Sequence, residues 1–133
     1  MELSTQLIAQ RSAFASAAEK EHLRLGACKR VFRFTRVRYE DGRPHSFERI
    51  VLPLARLPGL DRQFASTKSI VEIADRYGLK LGASIERITK LSPPPEVAAQ
   101  LLLGGDQLVI ELDRVTSSAD GVPIEWRVIF MLP

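Results

Sequence analysis

The chain has 133 residues, 45% apolar and 26% charged, with a formal net charge of +3. That describes one ordinary globular domain, long enough to bury roughly two-thirds of its unfolded surface, and excludes a disordered chain. The lone cysteine, Cys28, excludes an internal disulfide, and no apolar run approaches the roughly 18 residues of a membrane-crossing helix.

The N-terminus shows no signal pattern, so a cytoplasmic location is the expectation. The pI is about 9.4. Acids are interleaved with the basic residues and no Lys/Arg block occurs, which argues against a phosphate-tracking nucleic-acid surface on this chain.

Along the chain, loose alternation over Ser4–Arg11 predicts a strand. Ser16 and Glu19 have the spacing of a capping box, so a helix is expected to run from there to Leu25 and stop at Gly26. A second strand follows from about Lys29 to Tyr39, with Phe32 and Phe34 opposite Val31. Asp41-Gly42 is a strong hairpin signal, and the return strand is His45–Leu52.

Residues 54–66 read as a loop. A helix is predicted over Thr67–Tyr77, because Ile70, Ile73, Ala74 and Tyr77 form one stripe; Gly78 ends it. A strand is expected at Leu81–Leu91. Three prolines after Ser92 open a short helix that turns Val97, Leu101 and Leu102 inward and ends at Gly104-Gly105. Strands Gln107–Thr116 and Val122–Met131 flank a second hairpin at Asp120-Gly121.

The chain therefore repeats itself. Residues 36–53 (RVRYEDGRPHSFERIVLP) and 114–133 (RVTSSADGVPIEWRVIFMLP) share Arg-Val, Asp-Gly, a proline, a glutamate and a closing Leu-Pro. The order βαββ, helix, βαββ predicts an α+β domain with a mostly antiparallel sheet, helices on one face and a pseudo-two-fold between the copies. A cleft between sheet and helices is the natural pocket.

Several residues could carry chemistry there. Arg36 and Arg38 are two apart on a strand and share a face. Two guanidinium forks suit a carboxylate or phosphate, but solvated arginines or ion pairs with neighbouring acids fit equally. Glu48 and Glu125 stand at matching places in the repeat. They could be a general acid and base, acceptors for a ligand's donors, or partners of Arg36 or Arg127. Ser69, near the start of the central helix, is an anion site or a plain capping residue.

His22 and His45 have no companion at metal-ligand spacing. Cys28 reads as a buried or inert thiol. Nucleotide-loop and nucleophile-elbow patterns are absent from the sequence. Trp126 points away from Glu125 and is simplest as core.

In order and spacing, these pieces resemble the UTRA domain, the effector-binding domain of HutC-type regulators in the GntR family. The resemblance rests on Arg-Val-Arg, Asp-Gly-x-Pro, Ser-Ile-Val-Glu-Ile before Tyr-Gly, Ala-Ala-Gln-Leu-Leu-Leu before Gly-Gly, Leu-Asp-Arg and Asp-Gly-Val-Pro-Ile-Glu-Trp, and runs from about Ser4 to Met131. It implies a chorismate-lyase-like fold and a homodimer; no cofactor or metal is expected. It also implies that Arg36, Arg38 and Ser69 hold the acidic end of an effector, with Glu48 and Glu125 on its polar body.

Val71 stands where sugar-phosphate-binding relatives carry tyrosine, and Met131 where an aromatic hydroxyl often sits. Both make the expected pocket more apolar. The winged helix-turn-helix of such regulators is not expected within this chain, so DNA would be met only through a separate N-terminal domain. A lyase-like enzyme acting on a carboxylated substrate and a pure oligomerisation module are the competing readings.

Overall fold

The computed structural model describes residues 1–27, 29–63 and 68–133. Strand β1 (Leu3–Phe14) leads to helix α1 (Ala17–Leu23) and the hairpin β2 (Arg30–Glu40) and β3 (Arg43–Pro53). A 3-10 turn (Leu60–Arg62) and helix α2 (Ile70–Arg76) follow. The second half is β4 (Leu81–Leu91), α3 (Pro95–Gln100), β5 (Val109–Ser118) and β6 (Pro123–Met131). All pairings are antiparallel, in the order β1-β2-β3-β6-β5-β4. That order is the same from either end, one βαββ copy against the other, with the pseudo-two-fold between β3 and β6.

The helices divide between the two faces of the sheet, which corrects the expectation that they share one. The stripe Ile70, Ile73 and Ala74 of α2 packs on Phe32, Phe34, Ile50 and Leu52, the even-numbered side of β2 and β3. Leu23 of α1 packs with Val31 and Val51, and Val97 of α3 with Val37 and Phe47, on the odd-numbered side. A pseudo-two-fold normal to the sheet keeps the two repeat helices on one face. Helix α2 belongs to the connection and caps the other. Each buried Phe, Ile or Leu contributes roughly 1.5–3 kcal/mol.

Local signals behave as expected at some ends and not at others. Ser16 accepts from Glu19 N, and Glu19 accepts in return from Ser16 N, closing the capping box. Asp41 and Gly42 both take positive φ, 49° and 78°, as a two-residue hairpin turn requires. The second hairpin is longer: Ser118 N donates to Val122 O, and Gly121 alone turns left-handed.

Two helix ends differ from the glycine rule. Arg24 and Leu102, not Gly26 or Gly104, take the left-handed conformation, with φ of 51° and 56°. At Arg24 the early stop lets Leu25 reach the core beside Leu23, and the Arg24 guanidinium is held by Gly121 O. Leu102 consequently points to solvent, with 78% exposure, rather than inward. Thr67 and Cys28 lie outside the described residues, so α2 is seen from its cap, Ser69, onward.

Candidate functional site

The even face of β2, β3, β5 and β6 carries a belt of buried charge. Arg36 and Glu48 are direct cross-strand partners, and Arg36 Nε donates to Glu48 Oε1 at 2.5 Å. The Arg36 side chain is fully closed to solvent and that of Glu48 nearly so. Arg38 Nε reaches the same oxygen at 3.3 Å, with its side chain 40% exposed. Arg127 lies between the repeats: Nη2 donates to Glu125 Oε2 at 2.8 Å, and Nη1 is 3.9 Å from Glu48 Oε2. Arg114 Nη2 stands 3.6 Å from Glu125 Oε1.

Two carboxylates thus serve four guanidinium groups. Arg114 Nε and Arg127 Nε are buried donors, and Glu125 Oε1 a buried acceptor, that make no hydrogen bond among the described residues. Burial by itself works against an ionised Glu48. The guanidiniums of Arg36, Arg127 and Arg38 outweigh it and hold the carboxyl below its usual range. Arg36 responds in the opposite sense: burial lowers it, Glu48 only partly offsets this, and Arg127 and Arg38 add repulsion. It remains charged, as arginine does, in a site oversupplied with positive charge.

Four of the five residues singled out from the sequence, Arg36, Arg38, Glu48 and Glu125, are brought together here. For Arg36 and Glu48, the ion-pair alternative left open above is what the geometry shows. Ser69 caps α2, accepting from Glu72 N at 3.2 Å and donating to the Glu72 carboxylate at 3.3 Å. Its neighbour Lys68 offers a carbonyl to Arg36 Nη1 at 3.4 Å, which ties the approach of α2 to the cluster. Met131 stands opposite Ser46 on the far side of β3 from Arg38, and Val71 on α2 is 61% exposed.

Arg114 and Arg127 were missed as site residues. The signal for Arg114 was present, since it is the repeat mate of Arg36. For Arg127 only its shared face with Glu125 was legible.

A hollow of about 380 Å³ opens on the opposite, odd-numbered face, lined by Arg33, Arg49, Glu111, Asp113 and Trp126 among others. Trp126 is therefore not plain core: it stacks on His22 at 3.8 Å and donates to Asp113 at 2.9 Å. The arginines of this hollow are matched, Arg33 to Glu19 at 2.6 Å and Arg49 to Glu96 at 3.0 Å. The even face, where buried charge is unbalanced, is the stronger candidate. Among the described residues no group of three or more His, Cys, Asp or Glu could hold a metal, and no helix is long and apolar enough to cross a membrane.

Two βαββ copies in one antiparallel sheet, with a charged belt beside the connecting helix, define the class as a chorismate-lyase-like α+β domain. The chain belongs to the UTRA domain family, whose profile matches residues 1–132. A GntR-family regulator from Bacillus cereus superposes with a TM-score of 0.88 at 22% identity, over 100% of this chain and 93% of that one. PhnF from Mycobacterium smegmatis gives 0.89 at 25% identity, over 98% of this chain and 58% of that one. The C-terminal domain of a histidine utilization repressor from Pseudomonas syringae gives 0.89 at 12% identity, over 98% and 92%. A search of curated protein sequences finds no significant match.

Proposed function

We propose that this chain is the effector-binding and dimerisation domain of a cytoplasmic GntR/HutC-type transcriptional regulator and binds a small anionic metabolite. The observation that carries the reading is the imbalance on the even face, four guanidinium groups to two carboxylates, with two buried Nε–H donors unpaired among the described residues. A carboxylate or phosphate would relieve that imbalance through forked, charge-assisted bonds. Arg38, the most exposed of the arginines, is the first contact for an incoming anion. Glu48 and Glu125 orient the arginines and accept from the ligand's donors. Ser69 borders the site and would meet the anion only by releasing its cap.

Met131 and Val71 support an acid with an apolar body over a fully hydroxylated phosphosugar. In the homodimer, an effector that favours one arrangement of the two copies would bias DNA-binding domains lying outside this chain. Of the two acids open to the lyase-like alternative, Glu48 and Glu125, the first is disfavoured. A carboxyl held below its usual range has no proton to donate at neutral pH, and one flanked by three arginines is a weak base.

A thermal-shift screen of carboxylates, phosphates and matched neutral compounds tests the proposal. At least one anion is expected to raise Tm in a concentration-dependent way, with no turnover. Stabilisation by neutral compounds alone, or conversion of the stabilising compound, would overturn it.

A further inference from the structure

Strand β4 closes one end of the sheet with no strand beyond it among the described residues. It is eleven residues long and exposed on both faces, with Ile85 77% and Ile88 68% accessible. Long edges bearing apolar side chains invite pairing, and proteins blunt them with bulges or charge. The opposite edge, β1, is blunted by an irregularity in mid-strand, between Leu7 and Ala9. The irregularity in β4 lies at its start, between Leu81 and Ser84, and leaves the stretch from Ile85 to Leu91 regular.

We infer that β4 pairs antiparallel with β4 of a second copy of this chain, about a two-fold axis through Ile88. This deepens the dimer reading above and rests on it. An axis normal to the sheet preserves the faces, so only residues of like parity can stand opposite each other. In the register centred on Ile88, the two Ile88 side chains meet at the axis. Glu86 faces the partner's Lys90 twice over, and Ile85 faces the partner's Leu91.

Adjacent registers are worse. Centring on Arg87 sets two arginines against each other, centring on Glu86 opposes two glutamates, and centring on Thr89 opposes Ile88 to Lys90. Lys90 alone would blunt the edge; matched with Glu86 it selects the register. Prolines 93–95, which lack N–H groups, end the ladder beyond residue 92. The result is a twelve-stranded sheet that carries the even-face belt, through Arg114 opposite Glu86, toward the interface.

Sedimentation equilibrium on charge-reversed chains tests this. Glu86→Lys alone and Lys90→Glu alone each oppose two like-charged pairs and are expected to raise the dimer dissociation constant about tenfold or more. The double variant restores both pairs and is expected to dimerise like the wild type. An equimolar mix of the two single variants is expected to form the heterodimer in preference to either homodimer. A dimeric wild type indifferent to both reversals would overturn the β4 assignment and leave dimerisation standing. A wild type that is monomeric at every soluble concentration would overturn both.

Discussion

Arg36 donates to Glu48 across the β2–β3 ladder at 2.5 Å, with neither side chain open to water. Removing one partner of such a pair leaves the other charged, buried and uncompensated, at a cost of about 3–5 kcal/mol. The two ends are not equivalent here. Glu48 also serves Arg38 and Arg127, whereas among the described residues Arg36 meets Glu48 and the Lys68 carbonyl. Glu48→Gln is therefore expected to destabilise more than Arg36→Met. Urea denaturation of the two variants measures the order, and the reverse order would contradict the charge imbalance.

The same carboxyl gives a pH dependence with a defined sign. Its folded pKa lies below the ordinary value of 4.5. Its contribution is complete above that value and is lost as pH falls through the lowered folded value. Wild-type stability is expected to drop steeply below about pH 4.5, with a visibly shallower slope in Glu48→Gln. Equal slopes in the two proteins would remove Glu48 as the source.

Arg38 separates binding from folding. Its ion pair with Glu48 is long and its side chain 40% exposed, so the bond is worth at most about 1 kcal/mol. Arg38→Ala is expected to shift the denaturation midpoint little and to abolish stabilisation by the anion found in the thermal-shift screen. A full ligand-induced shift in this variant would take Arg38 out of the site.

Gly82 is constrained by space rather than by φ. A Cβ at this position would lie 2.5 Å from the Ser118 carbonyl oxygen, which is backbone and cannot swing away. Gly82→Ala is expected to cost about 1–3 kcal/mol. Gly26→Ala, with nothing within 4 Å and no positive φ, serves as the neutral control. Indistinguishable midpoints for the two would show that the β4–β5 register yields.

What the amino-acid sequence determined by itself was local and periodic. Two-residue alternation, the Asp41-Gly42 turn and the Ser16–Glu19 capping box depend on backbone sterics and near neighbours, so strands and hairpins were legible. So was the doubled βαββ unit, because repetition is visible without knowing what touches what.

The tertiary structure decided the rest. The stripe of α2 does not encode which face of the sheet it covers. The Gly26 signal gave way where Leu25 could reach the core by an earlier stop, and α3 ended at a left-handed Leu102, ahead of Gly105, which is left-handed too. The partners of Glu48 and Glu125 were equally undecidable, since acids and arginines on neighbouring strands admit several pairings until register and burial select one. Ion pairs and helix placement are set by residues distant in sequence. Their energies appear only once packing has brought the groups together and excluded water.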